Sequence, residues 1–503
     1  MTASSTTKST HRAEVGDDLQ AALEAAAHVV GADRVVEPVG GQRGAAPLTL
    51  GPNVSGYRSR RIAGIIRPRT AEEVRRVVEI FGRSPTTGAL HPFSTGRNWG
   101  LGSREPALDD SVALDLGDLD RVRKIDVTGG WAVIEPGVTQ GRLADLLAGT
   151  ERMVNVTVSS AHTSVIGNAL DRGVGLRHQR VEDLIGLEVV LPDGQVLHVG
   201  WWPDSHVTTA VYPHGLGPSL LPLFVQSDLG VVTAAVIRLL PRPEALRVVR
   251  LSFRPESLGP AVDELRRWVS QSLVRGVLKV YNPAAARGYG ETDEEFLAHV
   301  CLDGTAAAVD ALTTIVTGEA TRSGLFTQVS ATDAIDAGRQ NHEVAKLVER
   351  AYAGDPDGHD TIFRMKLGYP ADQLDERGGF LFFLPLVPFR GASIELADKL
   401  LDQVHSATGI RCGATLNALN ADVIDLVVSI KFARGGEQAE AAHRALDLLY
   451  RKFAEVGFMP YRLDVDHSEW MERFSRDAPS RQLVRRLKTV LDPNNAIAPG
   501  RYR

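Results

Sequence analysis

The feature that most constrains this chain is a glycine-rich turn that follows an apolar stretch. The turn reads Ser94-Thr95-Gly96-Arg97-Asn98-Trp99-Gly100-Leu101-Gly102. Glycines let the backbone approach a ligand closely, and converging N–H groups in such a turn can bind phosphate oxygens. The glycine spacing differs from the G-x-G-x-x-G fingerprint, which argues against a nicotinamide dehydrogenase. A phosphate-binding turn is therefore the favoured interpretation, and a plain β-turn with a solvated Arg97 is the alternative.

The composition is that of an ordinary globular protein with room for two or more domains. The 503 residues are 43% hydrophobic and 23% charged, with a formal net charge of −6. This charge gives no pull toward nucleic acid or an anionic membrane, so we expect neither as a partner. The two cysteines, Cys301 and Cys412, lie far apart in the sequence, which indicates neither a disulfide framework nor a metal site.

The N-terminal residues and the longest apolar run favour a cytoplasmic location. Residues 1–12 are rich in Ser and Thr and lack the apolar core of a secretion signal. The apolar run 380–389 contains Pro385 and Pro388 and is too short to span a bilayer. We therefore expect a cytoplasmic protein with no membrane partner.

Short strands and helices follow each other without a regular βαβ rhythm, which predicts an α+β protein. An apolar strand at 62–68 precedes a helix that Thr70 should cap, with Glu73 reaching back to the Thr70 N–H in a capping box. Pro192-Asp193-Gly194 lies between two apolar runs, and this arrangement predicts a β-hairpin.

The proline-rich segment Pro241-Arg242-Pro243 indicates a domain boundary. We predict an N-terminal tail and helix at 1–44, a first domain at 45–243, a second domain at 244–485, and a C-terminal segment at 486–503 that returns to the first domain. A basic cluster near the C-terminus has helical spacing and is interpreted as a solvated helix face. It consists of Arg481, Arg485, Arg486 and Lys488.

Several motifs further along the chain accompany the turn. They are Gly167-Asn168-Ala169-Leu170-Asp171-Arg172-Gly173, Gln226-Ser227-Asp228-Leu229-Gly230-Val231-Val232-Thr233, Tyr461-Arg462, and Asp492-Pro493-Asn494 before Ala498-Pro499-Gly500-Arg501. With the turn, they resemble the flavin-binding motifs of the vanillyl-alcohol oxidase/p-cresol methylhydroxylase (PCMH) family, closely over about 60–243 and more loosely over 360–503. The resemblance implies an α+β, two-domain PCMH-type FAD-binding fold with an α+β cap domain. It also implies hydride transfer from a substrate C–H bond to flavin N5.

The resemblance implies a set of FAD-binding residues. They are Ser94, Thr95, Gly96, Arg97, Asn98, Gly100, Gly102, Ser164, Gly167, Asn168, Gly173, Val231, Val232 and Arg501. In the family the turn holds the FAD pyrophosphate, and Gly96 and Gly100 would admit the close backbone approach that a diphosphate needs. Asn168 could offer a donor and an acceptor to the flavin edge, or it could cap a helix that begins near Ala169. Val231 and Val232 could instead belong to an ordinary core strand.

The pair Tyr461-Arg462 is the main catalytic candidate, because the phenol-oxidising branch of the family binds the substrate phenolate with such a pair. A free phenol has a pKa of about 10, and a guanidinium with a nearby O–H donor favours the anion. Asp425 and His467 are candidate bases, and His467 follows two carboxylates in sequence. The alternatives are a buried ring beside a surface charge at 461–462, a surface Asp425 and an exposed loop His467.

Three residues expected in the substrate pocket depart from the family pattern. Leu101 stands where the phenol-oxidising branch has a second tyrosine, so stabilisation of a phenolate should be weaker. Ser159 stands where some members have an acid/base aspartate. Phe380 stands at the usual attachment site of the cofactor, so we expect FAD to be bound without a covalent link. His162 and His178 match no attachment pattern well and are interpreted as satisfied or surface residues.

These observations favour an FAD-dependent oxidase or dehydrogenase that acts on the benzylic carbon of a phenolic or other aromatic small molecule. Oxygen or an electron carrier would reoxidise the flavin, and a homodimer is left open. The departures at Leu101 and Ser159 leave open a non-phenolic alcohol, amine or 2-hydroxy acid as the substrate. They also leave open a non-catalytic protein that keeps the fold as a binding module.

Overall fold

The chain is an α+β protein, as the sequence predicted, and its larger sheets have four, five and eight strands. The computed structural model describes residues 6–38, 47–97, 99–203, 211–291, 294–333, 340–357, 361, 364, 367–474 and 477–502.

Two of the sheets lie in the N-terminal half of the chain. The first contains β1 (Val35–Val36), β2 (Ile62–Ile66), β3 (Leu90–Phe93) and β4 (Ser111–Asp115) in the order β1-β2-β4-β3. The second contains β5 (Val122–Asp126), β6 (Trp131–Ile134), β8 (Leu184–Val190), β9 (Val196–Gly200) and β10 (Val231–Arg238) in the order β5-β6-β10-β8-β9, and β7 (Arg152–Met153) pairs separately with β11 (Leu240–Pro241). The predicted hairpin is confirmed as the antiparallel β8–β9 pair, with Glu188 opposite His198.

The eight-stranded sheet lies in the C-terminal half and is called the cap sheet below. Its strands are β12 (Ala245–Phe253), β13 (Lys279–Tyr281), β14 (Phe296–Gly304), β15 (Gln328–Ala331), β16 (Phe380–Phe383), β17 (Leu386–Pro388), β18 (Gly413–Ala418) and β19 (Val423–Lys431). Their order is β15-β12-β14-β13-β18-β19-β16, and β17 also pairs with β19. All of these pairings are antiparallel.

The described residues also form helices. They are α1 (Thr6–Val30), α2 (Ala71–Gly82), α3 (Gln140–Leu146), α4 (Val165–Leu170), α5 (Leu258–Ser270), α6 (Pro283–Ala286), α7 (Ala306–Ser323), α8 (Gln340–Tyr352), α9 (Leu374–Arg377), α10 (Gly391–Thr408), α11 (Gly436–Glu455), α12 (Trp470–Phe474) and α13 (Ala478–Leu491). None of these helices is long and apolar enough to cross a membrane.

The start of α2 differs in one hydrogen bond from the predicted capping box. The Thr70 hydroxyl accepts the Glu73 N–H at 3.1 Å, as expected. The Glu73 carboxylate, however, accepts the N–H of Arg69 at 2.6 Å instead of that of Thr70. The carboxylate thus reaches one residue further back, and the helix start keeps both stabilising hydrogen bonds.

The two faces of the cap sheet differ in polarity because side chains alternate along each strand. Leu416, Leu426 and Val428 belong to a buried apolar cluster that includes residues of α5, α10 and α11. The residues that alternate with them, such as Asn417 and Asp425, lie on the opposite face. The sheet therefore presents one face to a helical layer and a more polar face to the N-terminal half of the chain.

The end of the chain lies beside β3 of the first sheet. The Leu90 N–H donates to the Ala496 carbonyl at 2.7 Å, and the Ala498 N–H donates to the Leu90 carbonyl at 2.8 Å. Ile497 between them is fully buried in the apolar cluster of that sheet. The residues from 499 onward therefore begin at the edge of the first sheet.

Lys488 of α13 corrects the prediction of a solvated basic face, because it is only 5% exposed. Its ammonium group forms ion pairs with Asp228 at 3.3 Å and with Asp492 at 2.6 Å. It also donates to the Ile497 carbonyl at 2.9 Å. The charge is buried together with two opposite charges, which links the C-terminal segment to the loop before β10.

His467 is held between two carboxylates and an aromatic ring. Its Nδ1 and Nε2 lie 2.9 Å from Asp464 and 3.0 Å from Asp447. Its ring stacks on Tyr450 with centroids 4.2 Å apart. Although burial lowers the pKa of His467, the hydrogen bonds and charges of Asp464 and Asp447 raise it by more, to about 8.

Replacement of His467 by Gln should make the stability of the protein less dependent on pH. A pKa raised from 6.5 to about 8 corresponds to about 2 kcal/mol, present in full below pH 6.5 and lost as the pH rises through 8. Urea unfolding of both proteins at pH 6 and pH 9 measures this difference. An equal stability gap between the two proteins at both pH values would contradict the assignment.

Candidate active site

A cavity of about 760 Å³ lies between the N-terminal half and the polar face of the cap sheet. Its wall contains residues of β3, of the glycine-rich turn, of α4 and of the start of β10. The opposite wall contains residues of β13, β16, β18 and β19. A volume of this size is in the range of pockets that hold small molecules and cofactors.

Most of the predicted site residues line this cavity. Those implied for FAD binding are Ser94, Thr95, Gly96, Arg97, Ser164, Gly167, Asn168, Val231, Val232 and Arg501. The catalytic candidates Tyr461, Arg462 and Asp425 also line it, as do Leu101, Ser159 and Phe380. Gly100, Gly102 and Gly173 are not among its lining residues, and Asn98 lies outside the described residues. Positions scattered over 400 residues of sequence thus meet around one space.

Gly100 and Gly102 pack against other parts of the protein and do not line the cavity. The Gly100 N–H donates to the Ser55 hydroxyl at 3.1 Å, and its carbonyl accepts the Phe382 N–H at 3.0 Å. A Cβ atom on Gly100 would lie 2.4 Å from the Phe382 ring, and one on Gly102 would lie 2.7 Å from Val465. Both glycines also have positive φ values, +88° and +65°. They are required because the turn packs closely on its neighbours.

Helix α4 brings a buried amide to the cavity. The Ser164 hydroxyl caps the helix by accepting the Gly167 N–H at 2.9 Å, so Asn168 lies inside the helix and the capping alternative is wrong. The Asn168 Oδ1 atom is buried and has no hydrogen-bond partner among the described residues. Gly173 leaves room for this side chain, because a Cβ there would lie 2.1 Å from Asn168 Oδ1.

The residues at this end of the cavity fit FAD. The unsatisfied Asn168 Oδ1 needs a donor, which a flavin or ribityl group has. Gly96 has a φ of +64° and lines the cavity with its backbone. Arg97 and Arg104 line it as well and supply positive charge for a diphosphate.

A polar row crosses the cap sheet at the other end of the cavity. In strand register Lys279 of β13 lies opposite Asn417 of β18, which lies opposite Asp425 of β19. The Lys279 ammonium donates to Asn417 Oδ1 at 2.5 Å, and the Asn417 amide donates to Asp425 Oδ2 at 3.1 Å. The three side chains therefore form one hydrogen-bonded chain along the cavity wall.

Asp425 is a buried carboxylate with a strongly shifted pKa. Burial raises its pKa from 3.8 to about 6, against the opposing effects of the Asn417 hydrogen bond and of the Lys279 and Arg462 charges. Its Oδ1 atom makes no close hydrogen bond to a described residue. The surface alternative is wrong, since Asp425 is 1% exposed, and the group can exchange a proton near neutral pH.

Arg462 is buried, so the interpretation of a buried ring beside a surface charge is wrong, and Tyr461 beside it is half-buried. Arg462 forms an ion pair with Asp171, a partner that sequence analysis did not assign. Burial and the nearby Asp425 charge raise the pKa of Tyr461, which keeps its hydroxyl protonated and able to donate.

The C-terminal segment adds two residues to the same place. Arg501 and Tyr502 line the cavity, and the Arg501 guanidinium donates to the Ser103 hydroxyl at 3.2 Å. Burial raises the pKa of Tyr502, as does the charge of Asp171, while Arg501 and Arg462 oppose the rise. Tyr502 therefore lies close to Asp171, Arg501 and Arg462.

The three departures from the family pattern occupy the cavity wall as apolar or satisfied groups. Leu101 is 1% exposed, and its carbonyl accepts the Val465 N–H at 3.0 Å. The Ser159 hydroxyl lies 2.6 Å from that of Thr163 and accepts the Ser160 N–H at 2.7 Å. Phe380 meets Phe382 edge to face, with centroids 4.5 Å apart.

The histidines divide between the cavity and other surroundings. His162 and His178 are not among the lining residues, and His178 lies 2.6 Å from Asp183. His467 is also absent from the wall, so its predicted role as a base is not supported by its position. His91 lines the cavity and was not predicted. Burial and the nearby Arg501 charge lower its pKa to about 4, so it is neutral at physiological pH.

Lys279, Asn417 and Asp171 line the cavity but were not predicted as site residues from the sequence. A partial signal exists in β19, where Asp425, Val427, Ser429 and Lys431 alternate with apolar residues and all line the cavity. Such a period of two indicates which residues share a face. It cannot show which side chain of another strand lies beside them.

Known proteins resemble this chain both in one FAD-binding region and over nearly its whole length. The FAD binding domain family matches residues 62–200. The chain is 29% identical to a 1'-carboxy-chondrochloren decarboxylase from Chondromyces crocatus, over 88% of this chain and 90% of the relative. It is 25% identical to the flavoprotein subunit of a 4-cresol dehydrogenase from Pseudomonas putida, over 86% of each chain.

Two solved structures share the fold over 97% of both chains. They are a p-cresol methylhydroxylase with bound substrate (TM-score 0.83, 22% identity) and a 4-ethylphenol oxidase from Gulosibacter chungangensis in complex with isoeugenol (TM-score 0.82, 21% identity). The matched domain and the fold define a flavoprotein that binds FAD, as the sequence predicted. The chain has the PCMH-type FAD-binding fold, and it is an FAD-dependent oxidase or dehydrogenase.

Replacement of Gly100 by Val should loosen the turn and reduce FAD retention. The added side chain would collide with Phe382, which costs about 1–3 kcal/mol in addition to the backbone strain. Gly149 is a matched control, because it has a φ of +73° but no atom within 4 Å of an added Cβ. We expect Gly100→Val to lower the Tm and the flavin-to-protein absorbance ratio more than Gly149→Val does. Full FAD occupancy in Gly100→Val would contradict this account of the turn.

Proposed function

We propose that this oxidoreductase removes a hydride from the benzylic carbon of a phenolic substrate. The observation that carries the proposal is that Tyr461, Arg462 and Asp425 line the same cavity as the residues assigned to FAD. Bound FAD supplies a two-electron acceptor that takes a hydride at N5. The names of two similar proteins, a 4-cresol dehydrogenase and a 4-ethylphenol oxidase, support a 4-alkylphenol as the substrate class.

Arg462 and Arg501 are proposed to hold the substrate as a phenolate. Arg462 is already paired with Asp171, so one guanidinium charge at this place is balanced. Arg501 forms no ion pair with a described carboxylate and leaves one positive charge for an incoming anion. A phenolate favours hydride loss, because its charge can delocalise to the carbon para to the oxygen.

Tyr461 and Tyr502 are proposed to supply the hydroxyl donors. Leu101 stands where the phenol-oxidising branch has a second tyrosine, so that hydroxyl is missing here. Tyr502, in the C-terminal segment, lines the cavity and supplies another hydroxyl. Both tyrosines stay protonated because burial raises their pKa values. A hydrogen bond to a charged acceptor is worth about 1.5–3 kcal/mol, so Tyr502 would restore much of what Leu101 removes.

Asp425 is proposed as the base that accepts the substrate proton. Its pKa of about 6 leaves it ionised and basic at neutral pH. The charge of Asp425 raises the pKa of Tyr461, which indicates that the two groups lie close together. The phenol proton can therefore pass to Asp425 directly or through the Tyr461 hydroxyl.

The Asp425→Asn variant tests this role through its pH profile. In the wild type, the rate of flavin reduction by a 4-alkylphenol should rise with pH through about 6, as the carboxyl loses its proton. The variant should be slower by about 10²–10⁴-fold and should lack this rise. Asp398→Asn is the control, because Asp398 also has a pKa of about 6 but lies on α10, away from the cavity wall.

Anaerobic stopped-flow absorbance of the flavin measures both properties. A wild-type rate and pH profile in Asp425→Asn would remove Asp425 from the reaction. If no 4-alkylphenol reduces the wild-type flavin, the proposed substrate class is wrong.

FAD is proposed to be bound without a covalent link, because Phe380 offers no nucleophile at the usual attachment site. Acid precipitation of the holoprotein should leave the yellow colour in the supernatant. Colour in the pellet would instead point to a covalent bond, with His91 as the first residue to replace because it lines the cavity.

A second candidate is oxidation coupled to loss of a carboxyl group. It is favoured by the 29% identical decarboxylase, which matches nearly the whole chain. After hydride loss from the benzylic carbon, the electron pair of the adjacent C–COO⁻ bond would form a C=C bond and release CO2. By contrast, the relatives named for D-lactate and glycolate match less than half of the chain, which weakens a 2-hydroxy acid as the substrate. Release of labelled CO2 from a carboxyl-labelled 4-hydroxyphenyl alkanoate tests the second candidate.

A further inference from the structure

We propose that Lys279 binds a carboxylate on the side chain of the substrate, so that the substrate class is a 4-hydroxyphenyl alkanoic acid. This inference rests on the proposed oxidation of a phenolic substrate at the same cavity. Lys279 would be a second binding point for the substrate, on the opposite side of Asn417 from Asp425.

Lys279 is a buried cation with an incomplete set of partners. It is 5% exposed and lines the cavity. Of its three N–H donors, one is accounted for by Asn417 Oδ1 at 2.5 Å. No carboxylate of the described residues lies within 4 Å of its ammonium group, and Asp425 is reached only through the Asn417 amide. A buried ammonium group without an opposite charge is costly, which is a reason to expect an anionic ligand.

Another buried lysine among the described residues, Lys488, shows what a purely structural site looks like. Lys488 has the same exposed fraction of 5%, but it meets Asp228 and Asp492 and also donates to the Ile497 carbonyl. Its charge is balanced within the protein. Lys279 differs because its protein partner is a neutral amide and because it faces a cavity.

The neighbours of Lys279 on the sheet supply no further negative charge. His299 of β14 lies opposite Lys279 in strand register, and behind it Arg250 is paired with Glu291. Tyr281 follows two residues later on the same face of β13. Burial lowers the pKa of Lys279 to about 8, although the Asp425 charge opposes the shift, so the group is charged at neutral pH. Asp425, ionised above about pH 6, is therefore the nearest anion.

The spacing of the row suits a short aromatic acid. Lys279 and Asp425 lie on strands separated by one intervening strand, which places their backbones about 10 Å apart. Both side chains reach toward Asn417 between them, so their charged ends are closer than that. A side chain of two or three carbons can therefore bring its carboxylate to Lys279 while the phenol end lies by Tyr461.

The test compares two ligands that cannot be oxidised. (4-Hydroxyphenoxy)acetate has an ether oxygen in place of the benzylic carbon, and (4-hydroxyphenoxy)acetamide is its neutral counterpart. Isothermal titration of the FAD-loaded protein at pH 7 should show the acid binding about ten-fold or more tightly than the amide, as expected for a charge-assisted contact. The ratio should fall several-fold at pH 9.5, because Lys279 loses its proton above about pH 8.

Three variants assign the preference to Lys279. In Lys279→Met the ratio should approach one, and in Lys279→Arg it should persist at both pH values because Arg stays protonated. Lys431→Met is the matched control: Lys431 lines the same cavity six residues along β19 from Asp425, and the ratio should not change. If Lys279→Met does not hold FAD, the pH dependence of the wild type and the Lys279→Arg result decide the question.

Equal binding of acid and amide by the wild type would overturn the proposal, as would an undiminished preference in Lys279→Met. Neither result bears on hydride transfer, which is tested separately by reduction of the flavin with a 4-alkylphenol. The two proposals can also fail separately. If the acid preference depends on Lys279 but no phenol reduces the flavin, the anion site is retained and the proposed oxidation is refuted.

Discussion

The alternation of side chains along β13, β18 and β19 is the constraint on which the site depends. Leu416, Leu426 and Val428 must face the helical layer, because that layer is the core of the C-terminal half. The pleat then turns Asn417 and Asp425 to the other face, where they line the cavity. A slip of one residue in either strand would bury the carboxylate under helices and expose leucines to the cavity. The strand register that packs the apolar core is therefore also the register that places Lys279, Asn417 and Asp425 at the cavity.

The glycine-rich turn joins the two halves of the chain as well as contributing to the cofactor site. Its first part, up to Arg97, faces the cavity, whereas Gly100 and Leu101 bond to the C-terminal half. The Gly100 carbonyl accepts from Phe382 and from the Tyr57 hydroxyl, which lies 3.3 Å away. Phe382 itself lines the cavity. Loss of the turn would thus disturb the cofactor end and the cap sheet together.

The sequence predicted the fold and both ends of the cavity because those residues stand in contiguous motifs. Turn residues such as Ser94, and the pair Tyr461-Arg462, could be found in this way. Lys279 could not, since its partner Asn417 is 138 residues away and depends on the register of β13 against β18. Lys488 was misread for a related reason: helical spacing reveals a shared face but not the two carboxylates that cover it. Gly100 lies in the glycine-rich turn, but the group packed against it is the Phe382 ring of the cap sheet.

Transfer of the phenol proton to Asp425 leaves the total charge at the substrate end of the cavity unchanged. Within the group formed by Lys279, Arg462, Arg501, Asp171 and Asp425, one positive charge is in excess when Asp425 is ionised. A neutral phenol that carries one carboxylate would balance it on entry. When the phenol proton then moves to Asp425, a carboxylate disappears and a phenolate appears, and the total stays the same. Because an unbalanced charge is costly in a buried cavity, this exchange makes the phenolate available without the penalty of burying a new charge.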